Sequence, residues 1–461
     1  MWAKVDKGWT EREFAEIELG DRRLERRTRE VAEDLSSNPE APINQASEDW
    51  AAAKAAYRLF DNDKISAEKI LRPHQERTIQ RMKGEAVVLV VQDTTYLNYS
   101  GYEDVSGLGP IGDSRSNAQG LIMHSALALT TGGLPLGFLT QKIWAREGYQ
   151  DVKNARKNKS IESKESYRWI ETLQKTCALA PKATQLVTVC DRESDICEFF
   201  VEAAHRHTSF VVRASWDRRL VDHEYSNLWE LIESQKVAGR TTVVLPDRSI
   251  SKEKTLNLDV RFSQVTLKAP NRCRRSDNKR LPTVTLFAVH VKEVNASSTS
   301  DPVEWLLLTN LPVQTVEQAL EKVAWYTRRW SIEVFHRILK SGCTVERCKL
   351  ETAQRLIRYL TLMSIVAWRI FWMTHIKRTT PAASATSVLT SHELHALPLL
   401  FKKPPYPTTK MPTVSQAIIA IARLGGFLAR KGDKHPGPTA IWRGWQRLSD
   451  AAMIVGAIEA R

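Results

Sequence analysis

The chain has 461 residues, 42% of them hydrophobic and 26% charged, with a formal net charge of +14. That length exceeds one compact core and points to two or three domains, and the balance of residues is that of an ordinary soluble globular protein. No run of eighteen apolar residues occurs and the first residues carry no apolar signal stretch, so neither a membrane span nor export is expected.

Six cysteines (Cys177, Cys190, Cys197, Cys273, Cys343, Cys348) are scattered without a CxxC pair, which fits a reducing cytoplasm. The positive charge calls for a partner of opposite sign, and nucleic acid is the commonest. Fourteen tryptophans are compatible with base stacking, although core packing accounts for such residues equally well.

Residues 1–74 read as a helical, basic domain. Leu19-Gly20-Asp21 is a turn leading into Arg22, Arg23, Arg26, Arg27 and Arg29, with Val31, Ala32 and Leu35 as the apolar stripe. A second helical pattern runs from Ala46 to Phe60, and Ser66 starts a third. Short helices with clustered arginines suit phosphate contacts, and a solvated helix face suits them too.

Ala86 to Val91 reads as a buried strand with Asp93 just past its end. Leu121–Thr130 and Leu134–Trp144 read as strands joined by a Gly132-Gly133 hairpin. A helix is predicted over Ser163–Leu179, a strand over Gln185–Cys190 ending at Asp191, a helix over Ile196–Ala204 and a strand over Ser209–Arg213. This alternation predicts an α/β fold on a mixed sheet flanked by helices.

Residues 214–304 read as a β-rich insertion, with Arg272–Arg275 and Asn295–Ser300 as loops and Trp305–Thr309 returning to the sheet. A long helix is predicted from a Thr315 cap to Gly342. The chain is then mostly helical, interrupted by a proline-rich linker at Lys402–Pro412. Gly107-Leu108-Gly109-Pro110-Ile111-Gly112 fits a GxGxxG string but lacks the strand–turn–helix context of a dinucleotide site. No Walker motif occurs, so no nucleotide cofactor is expected.

On the long helix, Tyr326, Arg329, Glu333 and Lys340 fall within an arc of roughly 60°, at about 100° per residue. Leu320, Val323, Ser331, Phe335 and Ile338 lie on or near the other side. A face with a carboxylate, two cations and a phenol suits a metal ion held beside a phosphate chain; ordinary surface ion pairs produce the same pattern. In open α/β sheets, ligands gather at the carboxyl ends of the strands. If the strands ending near Asp93 and Asp191 are neighbours, Glu333 can complete a set of three oxygen ligands for Mg²⁺. Two such ions about 4 Å apart activate a nucleophile and stabilise the leaving oxygen of a phosphodiester. Each aspartate alone reads equally as a loop-start or cap residue.

Three segments carry a family resemblance: Val90-Val91-Gln92-Asp93-Thr94-Thr95, Val189-Cys190-Asp191-Arg192-Glu193-Ser194-Asp195-Ile196, and Tyr326 to His336 with Lys340. They resemble the acidic blocks of DDE transposases of the insertion-sequence-four type, with the closest likeness to the transposon-five transposase. The spacing Tyr-x₂-Arg-x₃-Glu-x₆-Lys matches that family's signature. Leu19–Asp21, Ala56–Arg58, Trp305–Thr309 and Ile421–Phe427 extend the likeness over nearly the whole chain, whereas Pro39–Trp50 matches poorly.

The resemblance implies a ribonuclease-H-like catalytic domain over 75–365, an end-reading domain over 1–74 and a helical dimerisation domain over 366–461. It implies cut-and-paste chemistry on double-stranded transposon ends and target DNA by a homodimer in the DNA complex, in a bacterial cytoplasm at the nucleoid. The steps are nicking by water, hairpin formation by the freed 3′-hydroxyl, hairpin opening and strand transfer.

Asp93 would bridge two Mg²⁺ ions, for which Mn²⁺ can substitute, with Asp191 on one and Glu333 on the other. Tyr326, Arg329 and Lys340 match DNA-phosphate contacts. Trp305 matches a tryptophan that receives a flipped base, and a core role reads as well. Arg213 and Arg58 are further DNA-contact candidates, while His336 and His124 read as structural. A silent DNA-binding inhibitor of transposition and a nuclease that never joins strands are the competing expectations.

Overall fold

The strand that carries Asp93 is the hinge of the architecture. Its apolar, valine-rich run Val87-Val88-Leu89-Val90-Val91 favours extended backbone and burial on both faces. In the computed structural model the strand continues to Asn98 (β1, Val87–Asn98), so Asp93 lies within it and not past its end. The structure describes residues 8–102, 104–112, 116–148, 159–221, 224–246, 253–270, 280–294, 302–433 and 435–459. The predicted loops at 272–275 and 295–300, and the start of the chain, lie outside these.

Nine further strands complete one mixed sheet: β2 (Gly109–Pro110), β3 (Gln119–Thr130), β4 (Pro135–Trp144), β5 (Gln185–Cys190), β6 (Ser209–Arg213), β7 (Gly239–Pro246), β8 (Glu253–Leu267), β9 (Val284–Glu293) and β10 (Glu304–Thr309). The order is β2-β3-β1-β5-β6-β10-β9-β8-β7, with β4 also on β3. β1–β5 and β5–β6 are parallel, and all other pairs are antiparallel. The segment read as an insertion thus extends the central sheet through β10 and forms no separate layer.

Side-chain alternation assigns two faces. Leu89, Val91, Val187, Val189, Val211, Trp305 and Leu307 face one core. Val88, Val90 and Leu186 face a second, and Cys190, Val212, Leu306 and Leu308 a third, on the opposite side.

Helices α1 (Trp9–Glu13), α2 (Arg22–Ser37), α3 (Ile43–Ala46), α4 (Trp50–Asp61) and α5 (Ala67–Met82) precede the sheet. Asp21 caps α2, accepting from the Arg23 amide, and Gly20 takes φ +75° in the turn before it. The predicted Ala46–Phe60 helix is interrupted at Ser47–Asp49, because Asp49 caps α4 through the Ala52 amide. Ser66 caps α5, which runs through residue 74 and packs on β4.

Helices α6 (Tyr167–Cys177), α7 (Cys197–His205) and α8 (Leu228–Ser234) fill the third core. The predicted long helix is two: α9 (Val316–Thr327) and α10 (Trp330–Arg337), followed by a π-helical turn, Ile338–Gly342. Hydrogen bonds from the Arg328 and Arg329 amides reach back only three residues, to Trp325 and Tyr326, which tightens the chain between them. Thr315 caps α9 as expected, but Gln318 reaches the Gln314 amide instead of that of Thr315.

Helix α11 (Ala353–Thr379) is nearly enclosed by protein and packs on α5 and β4; α12 (Ser391–Leu399), α13 (Val414–Leu424) and α14 (Pro438–Glu459) complete the chain. By length and composition α11 could cross a membrane, yet 89% of its most apolar window is buried inside the molecule.

Candidate active site

Register brings the two aspartates together. Val91 pairs with Val189 in the parallel β1–β5 ladder, so Asp93 on β1 and Asp191 just past the end of β5, each two residues on, stand side by side. Strands lie about 4.8 Å apart. Both residues share the odd-numbered face with Leu89, Val91 and Val189, which is the face α9 and α10 cover. Arg213 at the end of β6 and Trp305 at the start of β10 have the same parity and face the same way. Side chains scattered from position 93 to position 333 are thus collected by strand alternation and one helical face.

Glu333 completes the acidic group but is turned toward Arg329, whose Nη2 lies 2.6 Å from its Oε1. Burial, then the charge of Asp191, push the Asp93 carboxyl up to about 7, with Glu333 adding to the rise and Arg329 opposing it. Asp191 accepts from the Glu193 amide at 2.9 Å. Among the described residues no three Asp, Glu, His or Cys side chains close to metal-ligand distance. The carboxylates share a site without forming a ready-made cage.

Their chemistry still fits a divalent cation. Three carboxylates gather at one partly buried position beside the Arg329 guanidinium, and an oxygen-binding dication is a group that relieves their repulsion.

The remaining predicted residues divide. Tyr326 is buried, its ring set edge-on to Trp305 with centroids 5.2 Å apart. Arg213 donates to the Glu304 carbonyl at 2.9 Å; burial holds its pKa below the usual value, with Tyr326 opposing. The Arg329 guanidinium stands 5.9 Å from the Tyr326 ring centroid. Trp305 is thus packed as a core residue, with no open face for a base in this conformation. Lys340 donates to the Tyr96 carbonyl at 2.8 Å and lies 3.3 Å from Glu346 Oε1, placing its ammonium at the continuation of the Asp93 strand. Arg58 is exposed on α4.

His336 reads from sequence as structural, yet its Nδ1 lies 3.6 Å from Asp93 Oδ2. Burial, with the charge of Lys340, lowers its pKa to about 3, so the imidazole is neutral there. His124 also keeps below its usual range through burial and Arg168. Sequence reasoning missed Arg168, a buried guanidinium behind the aspartate strands; only its place near the start of a predicted helix hinted at a role.

Two family models match the chain. Residues 6–65 match the transposase DNA-binding family, and residues 365–461 match the transposase Tn5 dimerisation domain. Along the sequence the two matched segments lie before and after the strands of the sheet.

Proposed function

We propose, on the premise that the chain belongs to the Tn5-like transposases, that it cuts and joins DNA at Asp93, Asp191 and Glu333. The observation that carries this reading is the register that sets Asp93 on β1 beside Asp191 just past the end of the parallel strand β5, beneath the helix that bears Glu333. The central order β4-β3-β1-β5-β6, with β1, β5 and β6 parallel, supports a ribonuclease-H-like core.

Mg²⁺, or Mn²⁺ in its place, would be held by these three carboxylates and would supply Lewis-acid activation of water or a 3′-hydroxyl and stabilisation of the leaving oxygen. Arg329 and Lys340 carry the charge and geometry to hold phosphate oxygens beside the acids, and Arg213 lies within reach of the same face. Arg329 also holds Glu333 aside until substrate phosphate competes for its guanidinium. Tyr326 orients Arg213 and covers Trp305. The reactions are nicking, hairpin formation and opening, and strand transfer, all in-line phosphoryl transfers on the two transposon ends of a homodimer. The intact acidic set disfavours a silent inhibitor.

The test is nicking of a plasmid bearing the cognate ends. Asp93→Asn, Asp191→Asn and Glu333→Gln should each lower Mg²⁺-dependent cleavage by at least about 10³-fold while retaining end binding in EDTA. Cleavage near the wild-type rate by any one of them refutes the assignment. Capture of 3′-ends into a target plasmid separates a transposase from a nuclease.

A further inference from the structure

Strand alternation that turns Asp93 toward the helix bearing Glu333 turns its neighbours Gln92 and Thr94 to the other face. There Thr94 meets α6, and one α6 side chain joins the two aspartate segments. Arg168, 8% exposed, donates from Nε to Thr94 Oγ1 at 2.9 Å and from Nη2 to Glu193 Oε2 at 2.6 Å; its Nη1 donates to the Glu165 carbonyl at 3.0 Å. Thr94 follows Asp93. Glu193 sits in the turn after Asp191 and gives its amide to that carboxylate.

A guanidinium only donates, so Thr94 accepts from Arg168, and the same hydroxyl lies 2.8 Å from His124 Nδ1. His124 Nε2 in turn lies 3.3 Å from Gln92 Oε1. The chain Glu193–Arg168–Thr94–His124–Gln92 thus runs unbroken behind the sheet and braces β1 on both sides of Asp93.

We infer that Arg168 is a positioning residue: it sets the separation of Asp93 and Asp191 from behind the sheet, and so the affinity of their shared cation site. This rests on the catalytic reading above. Groups supporting metal ligands from outside typically change affinity or activity 10- to 100-fold.

The experiment titrates full-length protein with Mn²⁺, reading free Mn²⁺ by electron paramagnetic resonance, for wild type, Arg168→Ala, Arg168→Lys, Thr94→Val and Asp93→Asn. Arg168→Ala and Thr94→Val should each weaken Mn²⁺ binding by about tenfold or more and raise the Mg²⁺ needed for half-maximal nicking in step. The double variant should be no worse than the worse single one, since both break one link. Arg168→Lys should recover part of the loss, and end binding in EDTA should stay intact.

Wild-type Mn²⁺ binding by Thr94→Val and Arg168→Ala, beside a damaged Asp93→Asn, overturns the role of Arg168 alone. Loss of end binding in EDTA also overturns it, by making Arg168 a DNA contact. Should Arg168→Ala fail to fold, Thr94→Val decides by the same criterion. Unaltered binding by Asp93→Asn overturns the catalytic reading and this inference together.

Discussion

At the residue scale, buried charge is tolerated where a partner is fixed. Glu13 on α1 lies 2.5 Å from His74 Nδ1 and 2.9 Å from two Arg81 nitrogens, all beneath the sheet edge at β4. His74 Nε2 accepts from the Phe138 amide, and Arg81 donates to the Leu136 carbonyl, so one acid ties the N-terminal helices to β4. Burial raises the Glu13 pKa, but Arg81 and His74 outweigh it and hold the group at about 2, below its usual 4.5. His74 lies below its usual 6.5, chiefly through burial.

Both shifts act in one direction. As pH falls below 6.5, the unfolded chain protonates His74 while the folded one resists; below 4.5 the same holds for Glu13. Stability contributed by Glu13 is present above pH 4.5 and lost on the way down to pH 2. At about 1.4 kcal/mol per unit the Glu13 part is on the order of 3 kcal/mol. Thermal melts of wild type and Glu13→Gln at about pH 7 and about pH 3 should therefore show the gap between them narrowing in acid; a constant gap contradicts the linkage.

At the element scale, two departures from regular helix shape the site. The three-residue hydrogen bonds at Arg328 and Arg329 rotate α10 relative to α9, and the π turn, closed by the Cys343 amide on the Ile338 carbonyl at 2.8 Å, carries Lys340 onto β1. Single π turns are frequent at functional sites. A uniform helix would put the four residues of the arc in one stripe; here each end of the stripe is aimed separately.

The C-terminal helices depend on glycine contacts. A Cβ on Gly444 would stand 1.7 Å from the Ile421 carbonyl oxygen, and one on Gly425 would stand 1.9 Å from that of Ala440. Gly444→Ala should destabilise the α13–α14 pair by about 1–3 kcal/mol, or more if the backbone cannot shift. Thr315→Ala should cost only about 1 kcal/mol, as a lost cap. Chemical denaturation of both variants ranks the two effects, and the reverse order would contradict this packing.

At the scale of the whole molecule, DNA binding and dimerisation set the expectations. A net charge of +14 predicts end binding that weakens steeply with salt, the log–log slope being about −0.9 per phosphate contact. A flat response over roughly 50–200 mM salt, measured by gel mobility, would remove the phosphate-contact argument. Met453, Ile454 and Ile458 are exposed by 61%, 63% and 67% on α14, inside the matched dimerisation domain. Ile454→Lys with Ile458→Lys should leave the melting temperature within a few degrees, because both side chains are already in water, while abolishing the two-protomer complex on end DNA. Retention of that complex would move the interface elsewhere.

Local signals in the sequence were enough for the strands Gln185–Cys190 and Ser209–Arg213, the turns at Leu19–Asp21 and Gly132-Gly133, the helix start at Ser66 and the cap at Thr315, because apolar runs, turn residues and cap chemistry act over a few positions. The break at Arg328–Arg329, the π turn, the extension of the sheet by β7 to β10 and the burial of Trp305 under Tyr326 were settled only by tertiary packing. So was the level register of Asp93 with Asp191, and so was the Arg168 brace behind them. Each depends on which distant segment fills a neighbouring position. A contact such as that of Arg168 with Thr94, 74 residues apart, leaves no periodicity along the chain to betray it.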